Sequence, residues 1–347
     1  MGVTATGRKH LILIHGRATK PSEREKRRLV KKTLLHGLDR VAPDAAKAIR
    51  TRKVRFSLAY YGDICNAVML AADKTTQADL SERDPAHDYG PCEPKGSYNK
   101  HLKLLLQRTS FTKSDYESLL ANHDDNRYRD NIAGAISGVL NVMGLSEQMI
   151  REATPDMSAY LSQYHVGSAI RQRLQKLLAP ALKRGDDVCL VSHSMGCIVS
   201  YDVLWKFSRM SEYEKIRERK VNRWITLGNP LGEPGVQDNL YDAKVDTSGQ
   251  YPTNVRHWTN IAAFDDFVAH DEDMANDFAP MTSSNGSEPA LVQSIRDSRM
   301  YNFWTGSKGS NPHKLYGYLD HPHVATEIAK WVADETATAS KRPATQG

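Results

Sequence analysis

The stretch Asp187-Val188-Cys189-Leu190-Val191-Ser192-His193-Ser194-Met195-Gly196-Cys197-Ile198-Val199 constrains this chain more than any other. A short apolar run ends in a turn of small residues, and an apolar-periodic segment follows at once. That pattern predicts a buried strand, a sharp elbow and a helix. A serine at the tip of such an elbow, Ser194, is pushed out of the backbone with the start of a helix behind it. The placement gives a nucleophile exposure and aims backbone N–H groups at the position where an oxyanion would develop. A plain strand-to-helix turn capped by a serine would read the same from these residues alone, so the rest of the chain has to decide.

Around the elbow, strand and helix patterns alternate. His10-Leu11-Ile12-Leu13-Ile14 is a continuous apolar run, which suits a strand buried on both faces. A charged helical segment over 22–40 follows, then a strand over 53–61 that stops at Gly62-Asp63. Strand, helix, strand makes a βαβ unit, so these two strands should be parallel with a right-handed crossover. A long helix is expected over 157–182, a strand and turn over 221–232, a strand over 254–264, a short last strand over 300–304 and a final helix over 322–333. The sum is an α/β chain with a mostly parallel, doubly wound sheet flanked by helices. Residues 65–156 differ in texture: Pro and Gly punctuate a loop, charged clusters follow, and 132–145 is apolar and rich in small residues. This segment reads as a helical insertion between core parts 1–64 and 157–334, and 335–347 as a disordered tail.

Composition narrows the functional classes. The 347 residues, 40% apolar and 25% charged, can bury one large core or two modest ones. Much of the net charge of +6 sits in 20–40. That basic helix reads first as a solvated face and second as an attraction to an anionic substrate or membrane surface. No aromatic residues interleave with its charges, so nucleic acid is not expected as a partner. The four cysteines Cys65, Cys92, Cys189 and Cys197 show no zinc spacing, and His270-Asp271-Glu272-Asp273 reads as a solvated acidic turn. Neither a Walker pattern nor Gly-x-Gly-x-x-Gly occurs, so no cofactor and no metal are expected. The start of the chain lacks a charged leader with an apolar core, and no stretch reaches transmembrane length. The expectation is a soluble, cytoplasmic protein.

Ser192-His193-Ser194-Met195-Gly196 resembles the nucleophile elbow of the α/β-hydrolase superfamily, Gly-x-Ser-x-Gly, with a serine in place of the first glycine. His15-Gly16-Arg17 is similar to the turn after that family's third strand, which carries half of the oxyanion hole. Leu227-Gly228-Asn229-Pro230-Leu231-Gly232 resembles a turn of its lipase-like members. The resemblance implies an α/β-hydrolase fold lacking the first two strands, with 65–156 as a cap or lid whose apolar stretch packs on the core, lines an acyl pocket or touches lipid. It implies the N–H groups of Arg17 and Met195 as oxyanion donors, with Gly16 allowing close approach. Family members place serine, acid and histidine in that chain order. Asp266 is preferred as the acid over its neighbour Asp265, and His313 as the base over His321, which with His323 flanks Pro322 at a helix start. His193 is expected to pack or bond behind the strand. The implied activity is cleavage of a carboxylic ester, small or lipid-like, through an acyl-enzyme. Phospholipase, thioesterase or amidase activity on the same residues are the alternatives, as is binding without turnover. Peripheral contact with a membrane surface stays open, and the sequence says nothing of oligomeric state.

Overall fold

A computed structural model describes residues 7–77, 155–246, 249–264, 266–269, 273–284, 290–302, 304–306 and 309–334. Most of the expected insertion, including 132–145 and Cys92, lies outside the described residues. So do Asp265, residues 270–272 of the acidic turn and the tail 335–347.

The apolar runs form the middle of a six-stranded sheet. Its strands are β1 (Lys9–Ile14), β2 (Arg55–Ala59), β3 (Asp187–His193), β4 (Val221–Leu227), β5 (Val255–Ala263) and β6 (Ser294–Met300), in the order β2-β1-β3-β4-β5-β6. Every neighbouring pair is parallel. Successive side chains point to opposite faces, and so the run in β1 divides. Leu11 and Leu13 join one core with Cys189 and Val191 of β3, whereas Ile12 and Ile14 join the other with Val188 and Leu190. Each of these leucines, isoleucines and valines is fully buried, a gain of about 1.5–3 kcal/mol per side chain relative to exposure. A strand buried on both sides needs a helical layer on each, and the chain supplies them.

One layer holds α1 (Glu23–Val41) and α2 (Pro43–Arg50), joined late in the chain by α7 (Leu315–Asp320) and α8 (Pro322–Ala333). The other holds α3 (Gly62–Ala71), α4 (Pro155–Ser162), α5 (Tyr164–Arg184) and α6 (Met195–Arg209). Helix α1 starts where Ser22 Oγ accepts from Glu25 N–H at 3.4 Å. It is not simply a solvated basic face. Leu29, Val30, Leu34 and Leu38 enter the core, and Lys26 goes with them, only 2% exposed. The Lys26 Nζ donates to Tyr316 OH at 2.8 Å, and burial, then Lys20, holds its ammonium well below the usual lysine range. At the other end Arg40 and His36 both meet Asp320, tying α1 to α7.

Three expectations need correction. The single helix over 157–182 is two, because the backbone turns extended at Gln163 between α4 and α5. Both edges of the expected insertion belong to the layered core: residues 65–71 lie in α3, with Cys65 buried, and Pro155 and Asp156 begin α4 and are buried. The last strand is 294–300 rather than 300–304. Among the described residues it is an edge strand with β5 as its one neighbour, and its half-exposed Ser-Ile-Arg-Asp-Ser-Arg-Met carries no apolar run to mark it. A short antiparallel pair, β7 (Thr305–Gly306) and β8 (Gly309–Ser310), follows it. Among the described residues no helix is long and apolar enough to cross a membrane.

Candidate active site

The elbow takes the shape its residues predict. β3 ends at His193, α6 begins at Met195, and Ser194 between them holds φ 55° and ψ −132°. This is sparsely populated backbone for a residue with a side chain, and costs of order 1–3 kcal/mol unless its surroundings hold it. They do: Ser194 N–H donates to Leu227 O at 3.0 Å, and Ser194 O accepts from Cys197 N–H at 2.7 Å. The serine at the first position of the elbow, Ser192, has its own use. Its hydroxyl accepts from the Trp224 indole at 3.0 Å and bonds to Ser200 Oγ of α6 at 2.7 Å, locking strand to helix.

Three distant side chains meet here. Ser194 Oγ lies 2.8 Å from His313 Nε2, and His313 Nδ1 lies 2.8 and 2.9 Å from the two carboxylate oxygens of Asp266. A carboxylate only accepts, so the proton sits on Nδ1 and Nε2 is left to accept from the serine. Asp266 is sealed off, its side chain 0% exposed, and His313 is 15% exposed. The carboxylate also accepts from Tyr318 OH at 2.7 Å and from Val268 N–H at 3.0 Å, so its charge is well met. Beneath the pair lies Gly228, at φ +52°, where a Cβ would come within 2.8 Å of Asp266 Oδ2 and 3.0 Å of His313 Cε1. Only glycine lets Asp266 and His313 come together over that turn.

The loop carrying His313 is nailed down by Asn302. The Asn302 amide donates to Pro312 O at 2.6 Å and to Lys314 O at 3.0 Å, bracketing the imidazole, while its carbonyl oxygen accepts from Trp304 N–H at 3.1 Å. Asn311 Oδ1 accepts from His313 N–H at 3.1 Å. His193 takes part too, contrary to expectation. Its ring does not turn behind the strand. It lies 4.8 Å from the His313 ring, and its Nε2–H donates to His313 O at 2.8 Å. Burial, then the neighbouring His313, keeps His193 far below the usual histidine range and therefore neutral.

The turn after β1 closes the other side. Gly16 abuts Ser194: a Cβ there would stand 2.7 Å from Ser194 Cβ and 3.2 Å from its Oγ. His15 is fully buried, and burial, then Lys20, holds it neutral. Its Nε2 accepts from Tyr61 N–H at 3.1 Å, so Nδ1 carries the proton and donates to Gly16 O at 2.7 Å. A trans peptide sets carbonyl and N–H on opposite sides, so fixing Gly16 O fixes the direction of the Arg17 N–H. Among the described residues neither this N–H nor that of Met195 donates to a backbone acceptor. Both flank Ser194, one before it in the turn and one at the head of α6.

His321, the second candidate base, is elsewhere. Its Nδ1 accepts from His323 N–H at 3.0 Å, capping α8, and burial, then His323, pushes its pKa down to about 3. His323 bonds Ser298 Oγ at 3.0 Å. Among the described residues no group of three or more His, Cys, Asp or Glu could hold a metal ion. Sequence reasoning missed Tyr318, Gly228 and Asn302, whose parts depend on which loops meet in space. A Gly after a strand was the one local signal.

The chain matches no protein-family model, no curated protein and no solved structure. What it is similar to therefore rests on its own residues.

Proposed function

We propose that this protein is a serine hydrolase of the α/β-hydrolase kind that cleaves a carboxylic ester through an acyl-enzyme. One observation carries the reading: an unbroken run of hydrogen bonds from Ser194 Oγ through both nitrogens of His313 to Asp266. A serine hydroxyl is a poor nucleophile at neutral pH and needs a base to take its proton, with an anion to orient the base. Here His313 removes the proton as Ser194 attacks the carbonyl. Asp266 holds the imidazole in the Nδ1–H tautomer and balances the charge that develops. The oxyanion is met by the N–H groups of Arg17 and Met195. His313 then returns the proton to the leaving alcohol, and water, activated by the same imidazole, releases the acid.

Chain order and fold favour this reading. The nucleophile follows β3 and the oxyanion turn follows β1, which agrees with a sheet that lacks the family's first two strands. Phospholipase, thioesterase and amidase chemistry would run on the same side chains. A panel of p-nitrophenyl esters, acyl thioesters, anilides and phosphatidylcholine separates them.

Ser194→Ala is expected to lower turnover of a p-nitrophenyl ester by on the order of 10³-fold or more. Ordinary esterase activity in the alanine variant would refute the mechanism. A protein that binds an ester without turning it over would show no hydrolysis in the wild type either.

A further inference from the structure

Asp156 is a buried carboxylate, 1% exposed, that the three-residue relay does not use. It stands at the first turn of α4, 139 residues away in sequence from the turn that follows β1. Its two oxygens divide the work. Oδ1 accepts from Arg17 Nε at 3.1 Å, and Oδ2 accepts from Ala18 N–H at 2.5 Å. The carboxylate thus grips both the side chain of Arg17 and the peptide that follows it. Ala18 is held at φ +70°, a conformation residues with a Cβ rarely adopt, and this hydrogen bond is what that conformation presents to Asp156. From the other side Lys20 Nζ donates to the carbonyls of Arg17 and Ala18. Burial pushes the Asp156 carboxyl up, but Arg17, the Ala18 N–H and Lys20 outweigh it and hold it below the ordinary range, so it is ionised.

We propose that Asp156 is a positioning residue for the oxyanion hole: by clamping Arg17 and Ala18 it keeps the Arg17 N–H aimed at the charge that develops when Ser194 attacks. The proposal rests on the serine-hydrolase reading above. His15 fixes the peptide before Arg17, at Gly16 O, and Asp156 fixes the peptide after it. With both neighbouring peptides held, Arg17 cannot rotate its N–H away from the site. The contribution appears when the carbonyl oxygen becomes an anion and not when neutral ester binds, so it should fall on kcat.

The test uses the full chain and p-nitrophenyl acetate. Wild type must first show hydrolysis that Ser194→Ala abolishes; without it the hydrolase reading fails, and the proposal with it. Asp156→Asn keeps the shape of the side chain but removes its charge and sets an amide NH₂ against one of its donors. It is expected to lower kcat by roughly 10²-fold, toward the effect of losing one oxyanion donor, with KM within about twofold. Inhibition by a trifluoromethyl ketone, which binds as an oxyanion adduct, should weaken in step with kcat/KM, and Asp156→Glu should recover part of the loss. A kcat within threefold of wild type overturns the proposal. So does a loss of kcat that leaves trifluoromethyl ketone inhibition unchanged. If Asp156→Asn shows no cooperative urea transition, Arg17→Met cuts the side-chain half of the clamp at a residue whose side chain is 19% exposed. There a kcat drop of about tenfold is expected, and an unchanged kcat overturns the clamp.

Discussion

His193 touches two of the parts that must meet at Ser194. Its own backbone ends β3 and leads into the elbow, and its Nε2–H holds the carbonyl of His313. Its Nδ1 also stands 2.9 Å from where a Gly16 Cβ would be, against the turn after β1. Replacing it with alanine frees the base-bearing loop without touching any reacting atom. His193→Ala is expected to lower kcat on p-nitrophenyl acetate by about 10- to 10²-fold, the scale of a misplacement near 1 Å, with KM little changed. His193→Gln, whose amide can donate to the same carbonyl, should retain most of the activity. Equal losses in both variants would show that the hydrogen bond is not what matters. The sequence gives no hint of this role. It offers the order serine, acid, imidazole, and in the fold His313 lies within hydrogen-bonding reach of Ser194 on one ring nitrogen and of Asp266 on the other. The turn holding Gly228 was visible, but the part Gly228 plays, like that of Tyr318, was illegible because each acts across a gap that only the folded chain closes.

At the level of elements, site precision comes from loops tied to a stiff sheet. His313 sits after an edge strand and the short β7–β8 pair, and its loop is tied down chiefly by the three hydrogen bonds of Asn302. Asn302→Ala leaves two half-buried carbonyls and one buried N–H without this partner. Urea denaturation should then show about 1–3 kcal/mol lost, and kcat should fall by about tenfold as His313 loosens. Full stability together with full activity would mean the loop is held by something else. The central strands were easy to read because burial on both faces writes a continuous apolar run. The edge strand β6 was misplaced because one neighbour and solvent leave it a mixed pattern. The break at Gln163 escaped because apolar spacing continues across it into α5, and α1 hid a buried lysine behind its surface charge.

For the whole molecule, buried imidazoles set the response to acid. Burial, then Arg55, pushes His10 down to about 4, and burial, then His323, pushes His321 down to about 3. Both return to 6.5 when the chain unfolds, so between pH 6.5 and about 4 the unfolded state binds more protons. Stability therefore rises with pH across that window and is lost on acidification, at about 1.4 kcal/mol per pH unit for each group. His15 and His193, held low chiefly by burial, act in the same sense. Asp202, raised to about 6 by burial, acts in the opposite sense between 3.8 and 6, because its native form keeps the proton there. Among the described residues His257 and His323, also lowered chiefly by burial, join these imidazoles, and Asp297, raised by burial, joins Asp202, so six imidazoles outweigh two carboxyls. The urea midpoint is expected to fall clearly between pH 7 and pH 5, and a midpoint that holds or rises would contradict this balance.

The central claim is that Ser194 is an activated nucleophile, and covalent labelling tests it most directly. The full chain would be treated with a fluorophosphonate and digested, and the adduct located by mass spectrometry. The account predicts a single adduct on the peptide holding Ser194, absent in Ser194→Ala and formed at least about 10²-fold more slowly in His313→Gln. A wild-type protein that stays unlabelled, or a Ser194→Ala protein labelled as fast as wild type, would contradict it.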